Sequence, residues 1–181
     1  MTAPEMTRSN LPSVLAEIRQ RLAAASPAPW TVETDSNGVK LIRVGAGQSV
    51  QLSVRRDQEP GDDADVEFIA MSRNVLPRLV NALDGKQGSV TIEELDMIDA
   101  VVNRATPGPW TAFIEEVQPI GGPSMIWVGG DDDPDMYLWL GTKIASPGDV
   151  NFVAHAREDV PTLVEAIRAR LHGTSEQNLR Q

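Results

Sequence analysis

Ala25-Ser26-Pro27-Ala28-Pro29-Trp30-Thr31 and Ala105-Thr106-Pro107-Gly108-Pro109-Trp110-Thr111 are the two stretches that decide the fold. They align without a gap, and Leu15 and Ile18 upstream of the first match Leu95 and Ile98 upstream of the second. A further block sets Asp65-Val66-Glu67-Phe68-Ile69-Ala70 against Asp149-Val150-Asn151-Phe152-Val153-Ala154. It continues through Arg73 with Arg157, Pro77 with Pro161 and Leu79-Val80 with Leu163-Val164. Two blocks in the same order read as an internal repeat. The register shifts by four residues between them, and the expected place for that insertion is the loop Gly129 to Asp135, because a hairpin tip tolerates added chain.

Each unit begins with a helix. Thr91-Ile92-Glu93-Glu94 has the spacing of a capping box, and Ile92, Leu95, Ile98, Val101 and Val102 form one apolar stripe that runs to about Arg104. Val14, Leu15, Ile18 and Leu22 repeat it. Pro27 and Pro107 stop these helices, a second proline keeps each chain extended, and Trp30 and Trp110 open a strand. Three extended segments follow: Trp30 to Thr34, Val39 to Val44 and Ser49 to Val54, then Trp110 to Val117, Ser124 to Val128 and Met136 to Leu140. Turn residues between them predict antiparallel hairpins.

Each unit is expected to close with a helical pair. Asp65 or Asp149 would cap a short helix, and a second would start near Pro77 or Pro161, where proline suits a first turn. Asp159 would cap the last helix and Gly173 would end it. The predicted class is α+β: a tandem duplication of a helix, three antiparallel strands and a helical pair, with pseudo-two-fold symmetry. Its expected divisions are a first unit over 11–83, a linker over 84–90, a second unit over 91–173 and a flexible tail over 174–181, all within one compact domain. A continuous sheet and two facing sheets are both open at this point.

Composition narrows function. Of 181 residues, 16 are Lys or Arg and 26 are Asp or Glu, a formal net charge of −10 that disfavours direct nucleic-acid binding. An apolar share of 41% suffices for a core, and the absence of cysteine excludes thiol catalysis and thiolate metal sites and suits a cytoplasmic protein. No stretch approaches the apolar length of a membrane span or a signal peptide, so no membrane association is expected.

The run Ala105-Thr106-Pro107-Gly108-Pro109-Trp110, followed by Asp149-Val150-Asn151-Phe152-Val153-Ala154-His155-Ala156-Arg157-Glu158-Asp159-Val160-Pro161, resembles a pattern in small uncharacterised actinobacterial and phage-encoded proteins. It is also similar to the C-terminal part of lambdoid ead-type early-region proteins. The resemblance implies a recurring structural unit in phage and host chromosomes and carries over no functional residue. The first unit departs from the pattern at Ala28 and at Asn74-Val75.

Few residues carry chemistry. Trp30 and Trp110 read as core anchors against Phe68 or Phe152 rather than ligand-stacking rings. Trp127, Tyr137 and Trp139 are matched in the first unit only by Leu41, Ser49-Val50 and their neighbours, so they form a candidate interaction patch, with extra core filling as the alternative. Asp131-Asp132-Asp133-Pro134-Asp135 places acids at the first, third and fifth positions of a calcium loop, but Met136 stands for the glycine and Thr142 for the glutamate. It reads as a solvated hairpin tip, as does Asp57 to Asp65. His155 and His172 read as helical histidines, and Arg73 and Arg157 as bridges from helix to loop. No nucleophile elbow, phosphate loop or metal cluster stands out, so no cofactor is expected.

The leading expectation is a non-catalytic acidic interaction protein, phage- or mobile-element-related. It would bind or inhibit a basic protein partner, such as a nuclease or nucleic-acid-binding protein, through Trp127, Asp131, Asp132, Asp133, Asp135, Tyr137 and Trp139. The alternatives are a small-ligand or enzymatic module with a site between the units, using His155, Arg157 or Asp149, and a self-associating structural module.

Overall fold

The computed structural model describes residues 10–45, 50–56, 59–60, 62–86, 90–114, 125–128, 136–140 and 143–178. In chain order these form α1 (Leu11–Ala24), β1 (Trp30–Thr34), β2 (Lys40–Val44), β3 (Val50–Arg56), β4 (Glu59–Pro60) and α2 (Asp63–Leu83). There follow α3 (Ile92–Arg104), β5 (Trp110–Phe113), β6 (Met125–Val128), β7 (Met136–Leu140), β8 (Lys143–Ile144) and α4 (Pro147–Asn178). The class is α+β, with four helices and one antiparallel sheet whose main path runs β1-β2-β3-β7-β6-β5. The sheet is continuous: β3 pairs with β7 from Leu52↔Leu140 to Arg56↔Met136 and joins the two halves of the chain.

One face of the sheet is covered. Side chains alternate along a strand, so Trp30, Ile42, Val44, Leu52, Val54, Trp110, Ile126, Val128, Met136 and Leu138 all point to the buried side. Against them lie α2, over β1 and β2, and α4, over β5 and β6, while α1 and α3 pack on α2 and α4. Among the described residues no helix lies on the opposite face.

Several expectations need correction. Each half closes with one helix, not a pair: Pro77 lies inside α2 and Pro161 inside α4. A proline inside a helix costs about 3 kcal/mol, and the apolar stripe that continues across it outweighs that cost. In α2 the stripe joins Val66, Phe68, Ile69 and Leu76 to Leu79, Val80 and Leu83, all buried. α2 also starts before Asp65: Asp62 is the N-cap, accepting from the Ala64 N–H at 2.7 Å, so Asp65 stands in the first turn. In α4 the cap is Ser146, whose Oγ accepts from Asp149 N at 3.1 Å and donates to Asp149 Oδ2 at 2.8 Å. Asp159 is no cap either; within α4 it accepts from Arg21 of α1, at 2.8 and 2.9 Å from one guanidinium nitrogen. Burial pushes its carboxyl above the ordinary range, and Arg21 pulls it back only in part. Gly173 stays helical, and α4 runs to Asn178.

The connections between paired strands differ in length. The span from Trp110 to its strand partner Val128 is four residues longer than that from Trp30 to its partner Val44. From there to the central pair Val54↔Leu138 the two halves are equal in length. The difference in length therefore falls between β5 and β6; Gly129 to Asp135, where the insertion was expected, lies outside the described residues. Register also replaces Leu41 and Ser49-Val50 as the counterparts of Trp127, Tyr137 and Trp139: the matching strand positions are Arg43, Ser53 and Arg55.

The start of the linker is a helix stop. Gly85 has φ of +72°, its N–H reaches Ala82 O at 3.3 Å, and Lys86 N–H reaches Asn81 O at 3.0 Å, a Schellman closure of α2. The Pro-x-Pro turns differ from the extended geometry expected, since Ala28-Pro29 and Gly108-Pro109 are cis.

The halves cross in the core. Trp30 packs edge to face with Phe152 at 5.5 Å, and Trp110 with Phe68 at 5.4 Å, so each tryptophan meets the phenylalanine of the other half. Buried Asp149 accepts from Ser26 N and Oγ at 2.6 and 2.9 Å, and buried Asp65 accepts from Thr106 N and Oγ1 at 2.7 and 2.9 Å. Arg73 and Arg157 bridge helix to turn. Arg73 donates to Ser26 O at 3.0 Å and Leu22 O at 3.1 Å, and Arg157 to Thr106 O at 2.9 Å. Each Pro-x-Pro turn is thus gripped at its N–H by an aspartate of the opposite half and at its carbonyl by an arginine.

Candidate functional site

The face of the sheet opposite α2 and α4 is the candidate site, and strand parity determines its membership. On β1, β2 and β3 it presents Thr31, Glu33, Leu41, Arg43, Gln51, Ser53 and Arg55, the neighbours in sequence of the buried positions. On β5, β6 and β7 it presents Thr111, Phe113, Met125, Trp127, Tyr137 and Trp139. Phe113 is 57% exposed and Trp127 45%, while Met125, Tyr137 and Trp139 are half-buried among their neighbours. Register makes the patch contiguous: Phe113 is paired with Met125, Met125 with Tyr137 and Tyr137 with Arg55.

The first half of this face is polar. Arg43 donates from two nitrogens to the two carboxylate oxygens of Glu33, at 2.6 and 2.5 Å. Those hydrogen bonds hold the Glu33 carboxyl below its ordinary value and raise the Arg43 guanidinium. Of the residues singled out from the sequence, Trp127, Tyr137 and Trp139 share this face, so Trp127 is not core filling. Asp131, Asp132, Asp133 and Asp135 lie outside the described residues. Phe113, Met125, Arg43 and Arg55 escaped the sequence reading. The signal that finds Phe113 is parity, since an inward Trp110 sends a residue three places on outward.

The other candidates serve the fold. Asp149 holds Ser26, and burial pushes the Arg157 guanidinium below its ordinary range, with Asp65 opposing. His155 is exposed, its Nδ1 2.9 Å from Asn151 O one turn back in the same helix. Among the described residues no group of three His, Asp or Glu side chains could hold a metal ion, and no helix is long and apolar enough to cross a membrane.

No protein-family model, curated protein or solved structure matches this chain. The resemblance to phage and actinobacterial proteins therefore rests on the quoted motif residues alone.

Proposed function

We propose that the chain is a tandem duplication with a pseudo-two-fold axis at the Val54↔Leu138 pair, and that it is a non-catalytic protein-interaction module binding through the open face of its second half. The axis is supported by the offset between Val54 and Leu138, which equals that between Asp65 and Asp149, and by β4 and β8, which sit at the same offset. One observation carries the function. At matching strand positions the covered face keeps its apolar character, with Trp30 and Trp110, Ile42 and Ile126, and Val44 and Val128. The open face instead changes from Glu33, Arg43, Ser53 and Arg55 to Phe113, Trp127, Tyr137 and Trp139. Exposed aromatics concentrated on one flat surface lose water only when a partner covers them. The basic partner suggested by Asp131 to Asp135 rests on the sequence; Arg43 and Arg55 on the described face favour a contact centred on the aromatics.

The test is capture of companions from the native cells by tagged full-length protein, with Phe113→Ser and Trp127→Ser as comparisons. A stoichiometric companion held by the wild type and lost from both variants is expected. Equal capture by folded variants would overturn the reading.

A further inference from the structure

We propose that the ion pairs between the two halves form a pairing code: a first half joins only a second half, and the assembly in which two chains join through like halves is excluded. This rests on the duplication proposed above, which makes α1 equivalent to α3 in the register of Leu15 and Leu95, and α2 to α4 in that of Asp65 and Asp149.

Two halves with one fold carry an ambiguity. Each offers a central strand, β3 or β7, and the same set of helix faces, so β3 of one chain has the geometry to pair with β3 of another as well as with β7. Contacts whose two sides differ remove that ambiguity. Among the described residues three ion pairs cross between the halves: Arg21 with Asp159, Arg78 with Glu94 and Arg104 with Glu67. At the equivalent positions stand Val101 and Val75, Thr162 and Val14, and Ala24 and Asn151, none of them charged. Two first halves joined together would set Arg21 against Val75, Arg78 against Val14 and Glu67 against Ala24, each twice by symmetry. Two second halves would strand Asp159, Glu94 and Arg104 in the same way.

Burial decides which pair weighs most. Arg78 and Arg104 are 56% and 60% exposed, so water replaces much of what they lose. Arg21 and Asp159 are 15% and 14% exposed and share three hydrogen bonds of 2.8 to 3.2 Å, so either one left alone is a buried charge without a partner. Polarity within the halves adds a second safeguard. Arg19 of α1 pairs with Asp84 at the end of α2, whereas at the equivalent place Asp99 of α3 pairs with Arg168 of α4. Were α1 and α3 to exchange places, Arg19 would face Arg168 and Asp99 would face Asp84.

Moving the code within the full chain tests it without changing composition. Val75→Asp with Asp159→Val carries the acid alone to the equivalent site, which leaves two partly buried charges unpaired within one chain but pairs them when two first halves join. Each unpaired charge weakens the intrachain joint by roughly a hundredfold. Together they outweigh the roughly millimolar effective concentration that a short linker supplies. Sedimentation equilibrium at about 100 μM should therefore find this double variant in dimers that the wild type lacks. Adding Arg21→Val and Val101→Arg carries the arginine across as well, and should restore both the association state and the denaturation midpoint of the wild type. A double variant that is monomeric at every concentration, folded or not, overturns the code and leaves the duplication standing. A fourfold variant no better than the double one shows that positions 75 and 101 do not meet as 159 and 21 do, and overturns the duplication together with the code.

Discussion

Glu33 and Arg43 bridge β1 and β2 on the open face, and at the matching points of β5 and β6 stand Phe113 and Trp127. On the covered face the same strands keep Trp30 with Trp110 and Val44 with Val128. The contrast separates two demands on one sheet. Positions under the helices answer to packing, which tolerates little change in volume, whereas positions facing water answer to whatever meets them. A salt bridge in one half and a pair of large rings in the other, over a frame that packs alike, is the contrast on which the proposed difference of use rests.

Four sets of substitutions test whether the two halves behave alike. The largest effect is expected in the crossed core, where Trp30→Ala and Trp110→Ala should each cost about 4 kcal/mol by chemical denaturation; a loss in one half only would mean that the halves are not mechanically alike. Next come the aspartates that hold the opposite turns: Asp149→Ala and Asp65→Ala should each lower stability by about 3 kcal/mol, because the hydrogen bonds that these buried carboxylates accept from the turns are removed. Gly148→Ala should cost about 2 kcal/mol, since the added Cβ would sit 2.2 Å from the Ala24 carbonyl oxygen. At the matching place in α2 stands Ala64, which already carries a Cβ, so this substitution has no counterpart in the first half.

The smallest effect is on the open face itself. Glu33 titrates below 4.5 because Arg43 donates hydrogen bonds to its charged form. A depressed carboxylate stabilises the fold above its ordinary value and loses that contribution as pH falls through the depressed one. Arg43→Ala should therefore return the Glu33 midpoint, followed by NMR, to about 4.5 while leaving the melting temperature nearly unchanged. An unmoved midpoint would show that the bridge does not form in solution.

Much of the frame was legible because its signals are local. The capping box at Thr91 and Glu94 begins α3 at Ile92, and β1 and β7 have the bounds that alternation predicts. What escaped is non-local. Pro77 and Pro161 are helix breakers by local rule, and only the stripes from Val66 to Leu83 and from Val150 to Ile167 override them. Nothing in the tryptophan motifs says which phenylalanine each ring meets, since the crossing arises when β3 and β7 join. β4 and β8, two residues each, are too short for any periodicity to show. The aromatic patch was half visible: Trp127, Tyr137 and Trp139 stood out by type, but their common face with Phe113 depends on register between strands.

The central claim is that the second half's open face binds and the first half's does not. The most direct test is to compare companion capture, side by side, in Trp127→Ser and Arg43→Ser, which alter matching positions of the two halves. The account predicts two folded proteins, of which only Trp127→Ser has lost its association. Equal loss in both, or unchanged association in Trp127→Ser, would contradict it.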